Sequence, residues 1–355
     1  VQAARQSGVS VAVQELLDFD GHEIYIEDAS GFIGVEFAEL LGRLEVCSVI
    51  GLLDAEGTVT LNPPGSTVVA AGDRMIAIAE DDTVLELLED SVARPDFEQI
   101  LAADEKSPDP ERVVVLGWNK GAQSVITHFD AFLAPGSEIH VVVDPEIRGA
   151  PAENQHQRLG NTDVTFRHGS TTDRSTLEDL ELGRADHVMV LACSDDLDAQ
   201  RADARTLVTL LHLREINENL EREFSIVTEM VDERSRRLAE VAEVDDVIVS
   251  ENVISLLFSQ ISQNHHLADV FTQLFSPEGS EIYLRPAETY VAAKEEVSFA
   301  TMVEAARRRG ECAIGYREAG RSRDPESDFG MVINPPKSRI FKIDEGDSLV
   351  VLAED

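Results

Sequence analysis

The residues best placed to do chemistry are "GWNKGA" at 117–122, directly after the apolar run "RVVVL". A strand-to-helix turn with Gly at its first, third and sixth positions lets backbone approach a pyrophosphate, which then rests on the helix N-terminus. Gly117 fits the first position and Ala122 is tolerated at the sixth, with Gly121 beside it; Asn119 puts a side chain at the third, where phosphate comes close. Asp144 ends the next strand in "VVVDP", where an acid would hold a ribose hydroxyl. The competing reading is a nucleotide fold whose site has degenerated, with Asp144 capping the turn before Pro145. NAD is therefore expected to bind weakly or not at all.

Two acidic groups follow later strands. Asp195, Asp196 and Asp198 lie in "ACSDDLDAQ", and Glu229 and Asp232 in "TEMVDE", at the edge where open α/β sheets collect ligands. They are candidates for a divalent cation, Ca²⁺ first, although such an ion needs about six to eight oxygens and one cluster is incomplete. With 68 acids some must cluster, and Asp195 or Asp196 equally suits a helix cap. No G-x-S-x-G, H-E-x-x-H or cysteine beside a base occurs, so no enzyme is expected. His265 and His266 are adjacent and expected on different faces of a helix, unable to share one ion.

The elements that must position these residues alternate along 111–250: strands "RVVVLG", "EIHVVVD", "DVTFRHG", "DHVMVLA", "FSIVTEM" and "DVIVS", with helical stretches between. That alternation gives an α/β chain with a Rossmann-like, doubly wound parallel sheet. A length of 355 residues with 43% hydrophobic residues supports two or three domains. No apolar run approaches the roughly 20 residues of a membrane helix. The net charge of −38 repels nucleic acid and anionic lipid. The acids are spread along the chain and only five of the 30 basic residues are lysine, which suits a protein adapted to a salty interior. Three scattered cysteines (Cys47, Cys193 and Cys312) form no zinc or disulfide pattern, consistent with a reducing cytoplasm.

A repeat brackets this domain. "GHEIY" at 21–25 returns as "GSEIY" at 279–283, followed in both copies by a helix, a cysteine (Cys47, Cys312) opening a strand, N-P-P, Gly-Asp and a closing strand that ends in Ala-Glu-Asp. N-P-P and Gly-Asp read as turn chemistry. Val13, Leu16 and Leu17 before the first copy match Phe271, Leu274 and Phe275 before the second. The expected organisation is the end of a connecting helix of a truncated first unit (1–20), a first small module (21–82), a linker with a helix (83–110), the Rossmann-like domain (111–250), a helical crossover (251–275) and a second small module (276–355). Leu257, Phe258, Ile261, Val270, Phe271 and Leu274 in the crossover suit either subunit pairing or a core helix pair.

Together these residues resemble the Castor/Pollux family of ion channels, whose cytosolic half is built from tandem RCK units, regulators of ion conductance. The likeness covers nearly the whole chain; its most specific pieces are Gly117-Trp118 and "FLAPGSE" at 132–138. It implies an RCK-N domain flanked by two RCK-C-like modules, a homotetrameric gating ring on the cytoplasmic face of the membrane, and a transmembrane pore upstream in the same polypeptide. It also implies that Glu229 stands where related RCK domains place a calcium-binding Glu. The function expected is conversion of ligand binding, Ca²⁺ first, into pore opening. The alternative is a soluble nucleotide-dependent regulatory subunit of a potassium uptake transporter.

Overall fold

The computed structural model describes residues 2–18, 21–81, 93–103, 109–147, 149–242, 244–276, 279–292, 296–322 and 324–354. They divide into two units, Val1–Ser10 with Lys106–Ser255 and Val11–Glu105 with Leu256–Asp355. The helix expected within 83–110 lies outside the described residues. Within that stretch, Asp96 N donates to Thr301 Oγ1 and Leu101 N to Tyr290 O, so 96–101 runs along the second module.

The first module is an antiparallel sheet of β1 (Glu23–Asp28), β2 (Ser48–Leu53), β3 (Val59–Leu61) and β4 (Arg74–Ala79), in the order β1-β4-β2-β3. Phe37, Leu40 and Leu41 of the helix Phe37–Arg43 are buried, three and four residues apart on one face.

The Rossmann-like unit follows with β5 (Arg112–Leu116), β6 (Ser137–Val143), β7 (His156–Arg158), β8 (Thr162–His168), β9 (His187–Val190), β10 (Ser225–Met230) and β11 (Asp246–Val249). Its sheet order is β11-β10-β9-β5-β6-β8-β7, parallel except for the edge strand β7. Strands covered on both faces are apolar throughout. Along β5, Val113 and Val115 join a core beneath the helix Ala122–Phe132, while Val114 and Leu116 join one beneath the helix Ala199–Asn217. Residues 2–10, expected at the tail of a connecting helix, belong to this unit. Arg5 Nη2 lies 3.2 Å from Glu111 Oε1, His187 Nε2 lies 3.1 Å from Glu111 Oε2, and Gly8 N donates to Asp246.

The second module has β12 (Glu281–Pro286), β13 (Glu296–Ser298), β14 (Cys312–Arg317), β15 (Met331–Ile333), β16 (Ile340–Lys342) and β17 (Ser348–Ala353). Its main sheet, β12-β17-β14-β15, repeats the first. Glu23 faces Ala79 as Glu281 faces Ala353, and β2 shifts register between Val49 and Gly51 as β14 does between Ala313 and Gly315. A Cβ on Gly51 would meet Thr60 O at 2.5 Å and one on Gly315 would meet Val332 O at 2.6 Å, so each copy needs glycine beside the shift. This register corrects the expected equivalence of Cys47 and Cys312. Cys312 faces Leu352 as Ser48 faces Ile78, so Cys312 matches Ser48, and Cys47 matches Glu311. The two modules are packed into one unit, with the helices Phe37–Arg43 and Phe299–Arg307 against each other.

The crossover consists of helices Ser250–Gln263 and Leu267–Leu274. Val270, Phe271 and Leu274 are buried, whereas Phe258 is 72% exposed. The break also overturns the expected divergence of the two histidines: off a regular helix, His265 and His266 bring their rings to 3.9 Å.

Candidate functional site

Gly117 leaves β5 with φ +99°, and a Cβ there would sit 2.5 Å from Leu191 O. Close backbone approach to the end of the neighbouring strand therefore requires this glycine whether or not phosphate binds. Trp118 packs edge-on to Phe166. Asn119 is buried and fills the turn: its Oδ1 accepts from Gly121 N at 2.9 Å, and its Nδ2 donates to Ala192 O and Glu229 Oε2, both at 2.9 Å. Lys120 N donates to Asp195 Oδ2 at 2.5 Å. Two N–H groups that a dinucleotide fold would offer to phosphate are thus taken by side chains of the same chain. Asp144, at the ribose position, is bound by Arg205 Nη2 at 2.8 Å and accepts from Glu146 N. Gly117, Asn119 and Gly121 form one turn after β5, Asp144 follows the neighbouring strand β6, and the side chains of Asn119 and Asp144 are engaged internally.

The acids are also engaged. Asp195 is tied to Lys120, and Asp198 caps the helix Ala199–Asn217 through Arg201 N. Glu229 accepts from Asn119, Ala192 N and Ser250 Oγ, which joins it to the glycine turn. Asp232 is gripped by the Arg234 guanidinium, which holds its carboxyl down at about 2. Asp196 has a polar partner too. Among the described residues no three His, Cys, Asp or Glu side chains gather into a metal-holding group. A cavity of about 370 Å³ does open beyond the ends of β10 and β11, with Asp232, Glu233 and Glu251 in its wall. The sequence reading missed Asp203, buried on the helix Ala199–Asn217, whose carboxylate takes Val231 N and Asp232 N and so fixes the end of β10.

The turn motifs do more than turn. Asp73 and Asp347 of the two Gly-Asp pairs accept backbone N–H groups within their own copies, as a turn residue should. The N-P-P asparagines, both at positive φ, reach into the other copy. Asn62 Nδ2 donates to Gly310 O and its Oδ1 accepts from Cys312 Sγ; Asn334 Nδ2 donates to Val46 O and its Oδ1 accepts from Ser48 Oγ. These are equivalent positions exchanged between copies, so the seam has an approximate two-fold symmetry. One member of the seam is unmatched. Lys337 is fully buried, with Nζ 3.2 Å from Cys47 O, 3.3 Å from Ser48 Oγ and 5.2 Å from the Phe299 ring centre. Burial pulls its ammonium down to about 8. The sequence signal was the one-residue difference after N-P-P, Gly65 against Lys337.

Comparison with known proteins finds relatives that are named as ion channels. The family described as "Castor and Pollux, part of voltage-gated ion channel" matches residues 1–92, and the TrkA-N domain matches 113–250. The ion channel CASTOR of Lotus japonicus is 30% identical over 100% of this chain and 45% of its own length. The probable ion channel CASTOR of Oryza sativa subsp. japonica is 28% identical over 95% and 41%. The chain therefore spans less than half the length of these curated relatives. The human SLO3 gating ring shares the fold at a TM-score of 0.67, with 12% identity over 99% of this chain and 73% of that one. No helix among the described residues is long and apolar enough to cross a membrane.

Proposed function

The chain is a relative of the Castor and Pollux ion channels along its whole length, and from that premise we infer that it is the regulatory gating-ring region of a cation channel. The observation that carries the reading is a Rossmann-like unit with two paired copies of one small module, in a fold shared with a gating ring. Such a region performs no chemistry; it holds an equilibrium that a ligand biases by binding one state better. Copies of this chain assemble as a homotetramer, the exposed Phe258 on the helix Ser250–Gln263 marking a contact surface, and a transmembrane pore upstream in the same polypeptide is what they gate.

The crevice at Gly117 is not the effector site, because Asn119, Asp195 and Arg205 already hold the groups that NAD would use. The effector is a hard cation, Ca²⁺ first. Its entry is the acid-walled cavity at Asp232, Glu233 and Glu251, where a neighbouring copy or backbone carbonyls complete the oxygen shell. Binding there pulls on the end of β10, and through Glu229 on the glycine turn.

The test is to sequence the gene upstream of residue 1, express the full polypeptide and record currents in planar bilayers while Ca²⁺ is varied on the side bearing this region. Upstream membrane-spanning segments and a Ca²⁺-dependent open probability, shifted in Glu251→Gln, support the reading; a polypeptide with no such segments and no conductance overturns it. The second reading, a nucleotide-dependent subunit of a potassium transporter, is favoured only by the TrkA-N match to 113–250 and needs NAD to bind.

A further inference from the structure

The two-fold seam has two equivalent corners, and only one is filled. At the filled corner Lys337 follows Pro336 and carries its ammonium to Cys47 O, Ser48 Oγ and the face of Phe299. Ser338 closes the same corner, its N and Oγ both donating to Glu45 Oε1.

The open corner has the same frame. Ala38 N donates to Gly65 O at 3.0 Å and Phe37 N to Thr67 O at 2.7 Å, just as Ala300 N donates to Lys337 O at 2.9 Å and Phe299 N to Arg339 O at 2.8 Å. Gly65 therefore stands where Lys337 stands, Phe37 where Phe299 stands, and the strand register puts Glu311 at the position of Cys47 and Arg309 at that of Glu45. No side chain at residue 65 enters this corner. It is a cavity of about 310 Å³, with Phe37, Gly65, Arg307, Arg309, Glu311 and Glu354 in its wall.

We propose that this cavity binds a small zwitterion, a free amino acid, whose ammonium takes the place that Lys337 Nζ takes at the equivalent corner and whose carboxylate is received by Arg309. The cation half is a copy of what the chain already does with its own lysine: a backbone carbonyl, here that of Glu311, and an aromatic face, here that of Phe37. The Glu311 carboxylate is occupied by the Tyr290 hydroxyl at 2.5 Å and by Arg285 at 3.5 Å, so the backbone carbonyl, not the side chain, is the group assigned to the ammonium. The anion half rests on a donor left over. Arg309 lines the cavity and makes no ion pair with a carboxylate among the described residues; its Nη2 is held by Thr289 O, its Cζ lies 4.0 Å from the Tyr290 ring centre, and its buried Nε has no acceptor, so turning the guanidinium toward a ligand breaks only the bond to Thr289 O. Arg307 is committed to Glu304 by two hydrogen bonds and is not the receiver. The volume lies at the small end of ligand cavities, sized for an amino acid and too small for a dinucleotide.

The proposal stands apart from the gating reading, because binding is measured on this chain alone. Thermal-shift and calorimetric titrations are run with a panel of the common amino acids, and with methylammonium and acetate as the two half-ligands. Gly65→Lys is the decisive variant: Gly65 does not sit at positive φ, and its Cβ would lie 3.1 Å from Ala38 Cβ, so a small shift admits the side chain and supplies the missing ammonium in cis. At least one amino acid is expected to bind saturably, more than about tenfold tighter than either half-ligand, and Gly65→Lys to abolish binding. Arg309→Gln, which keeps the cavity walls, is expected to weaken the amino acid by about tenfold or more and to leave methylammonium unchanged. Absence of saturable binding across the panel, methylammonium binding as tightly as the amino acid, or binding unchanged in Arg309→Gln would each overturn it.

Discussion

Replacing Lys337 with Met should change how stability depends on pH, by an amount the structure sets. The folded chain releases the Lys337 proton near pH 8, whereas an unfolded lysine keeps it to 10.5. Between those values the unfolded state binds more protons, so stability rises with pH; below about 8 the full cost of burying the ammonium is present, and above 10.5 it is gone. The gap between the two values corresponds to about 3 kcal/mol, of which about 2.5 kcal/mol is recovered between about pH 7 and about pH 10. Met removes the titrating group while keeping a long unbranched stem beside Phe299, at the cost of leaving Cys47 O and Ser48 Oγ without that donor. That cost is constant with pH, so only the slope of the difference matters. Urea denaturation of both proteins across this range, in enough salt to screen the net charge of −38, isolates it. The probes separate the units, because the single tryptophan, Trp118, lies in the Rossmann-like unit and all four tyrosines lie in the other. The tyrosine-reported stability of the wild type should climb toward that of Lys337→Met, or further past it, by about 2.5 kcal/mol, with the Trp118 transition unchanged. Parallel pH profiles would refute the assignment of a destabilised buried ammonium.

Other consequences are as concrete. Asn119→Gly removes three hydrogen bonds, so the Trp118-reported transition should lose about 2–3 kcal/mol, with NAD still not binding because Asp195 and Arg205 hold the remaining groups; an unchanged midpoint or micromolar NAD affinity contradicts this. Phe258→Asp should weaken self-association in light scattering and leave stability within about 0.5 kcal/mol, since Phe258 is 72% exposed. The same change at Phe271, 4% exposed, should unfold the second unit and so cannot test an interface. At acid pH, burial opposes ionisation of Glu111 but hydrogen bonds from His187 and Arg5 hold it down at about 2. Its stabilising contribution is complete above about 4.5 and lost as pH falls through about 2, so Glu111→Gln should flatten the acid limb of a stability profile.

The sequence by itself determined every element whose cause is local. Apolar β-branched runs such as 113–116 had to become buried strands, and the spacing of Phe37, Leu40 and Leu41 had to become one helix face. The repeat is enough to fix two copies of one sheet, and the side chain of Asn119 argues against a phosphate at the turn. Tertiary structure decided whatever depends on which groups meet across long stretches of chain. That Asn119 bridges to Glu229, that Asp195 occupies the helix-entry N–H of Lys120 and that Arg205 occupies Asp144 are pairings between residues far apart in sequence, which no local spacing encodes. The strand register, which moved the partner of Cys312 from Cys47 to Ser48, comes from pairing with β4 and β17 and not from the order of letters. The seam is the clearest case. Gly65 and Lys337 look like unremarkable residues after two prolines, and only the packing of the copies against each other turns one into a buried ammonium and the other into a cavity, because burial is a property of the whole contact surface and not of the residue.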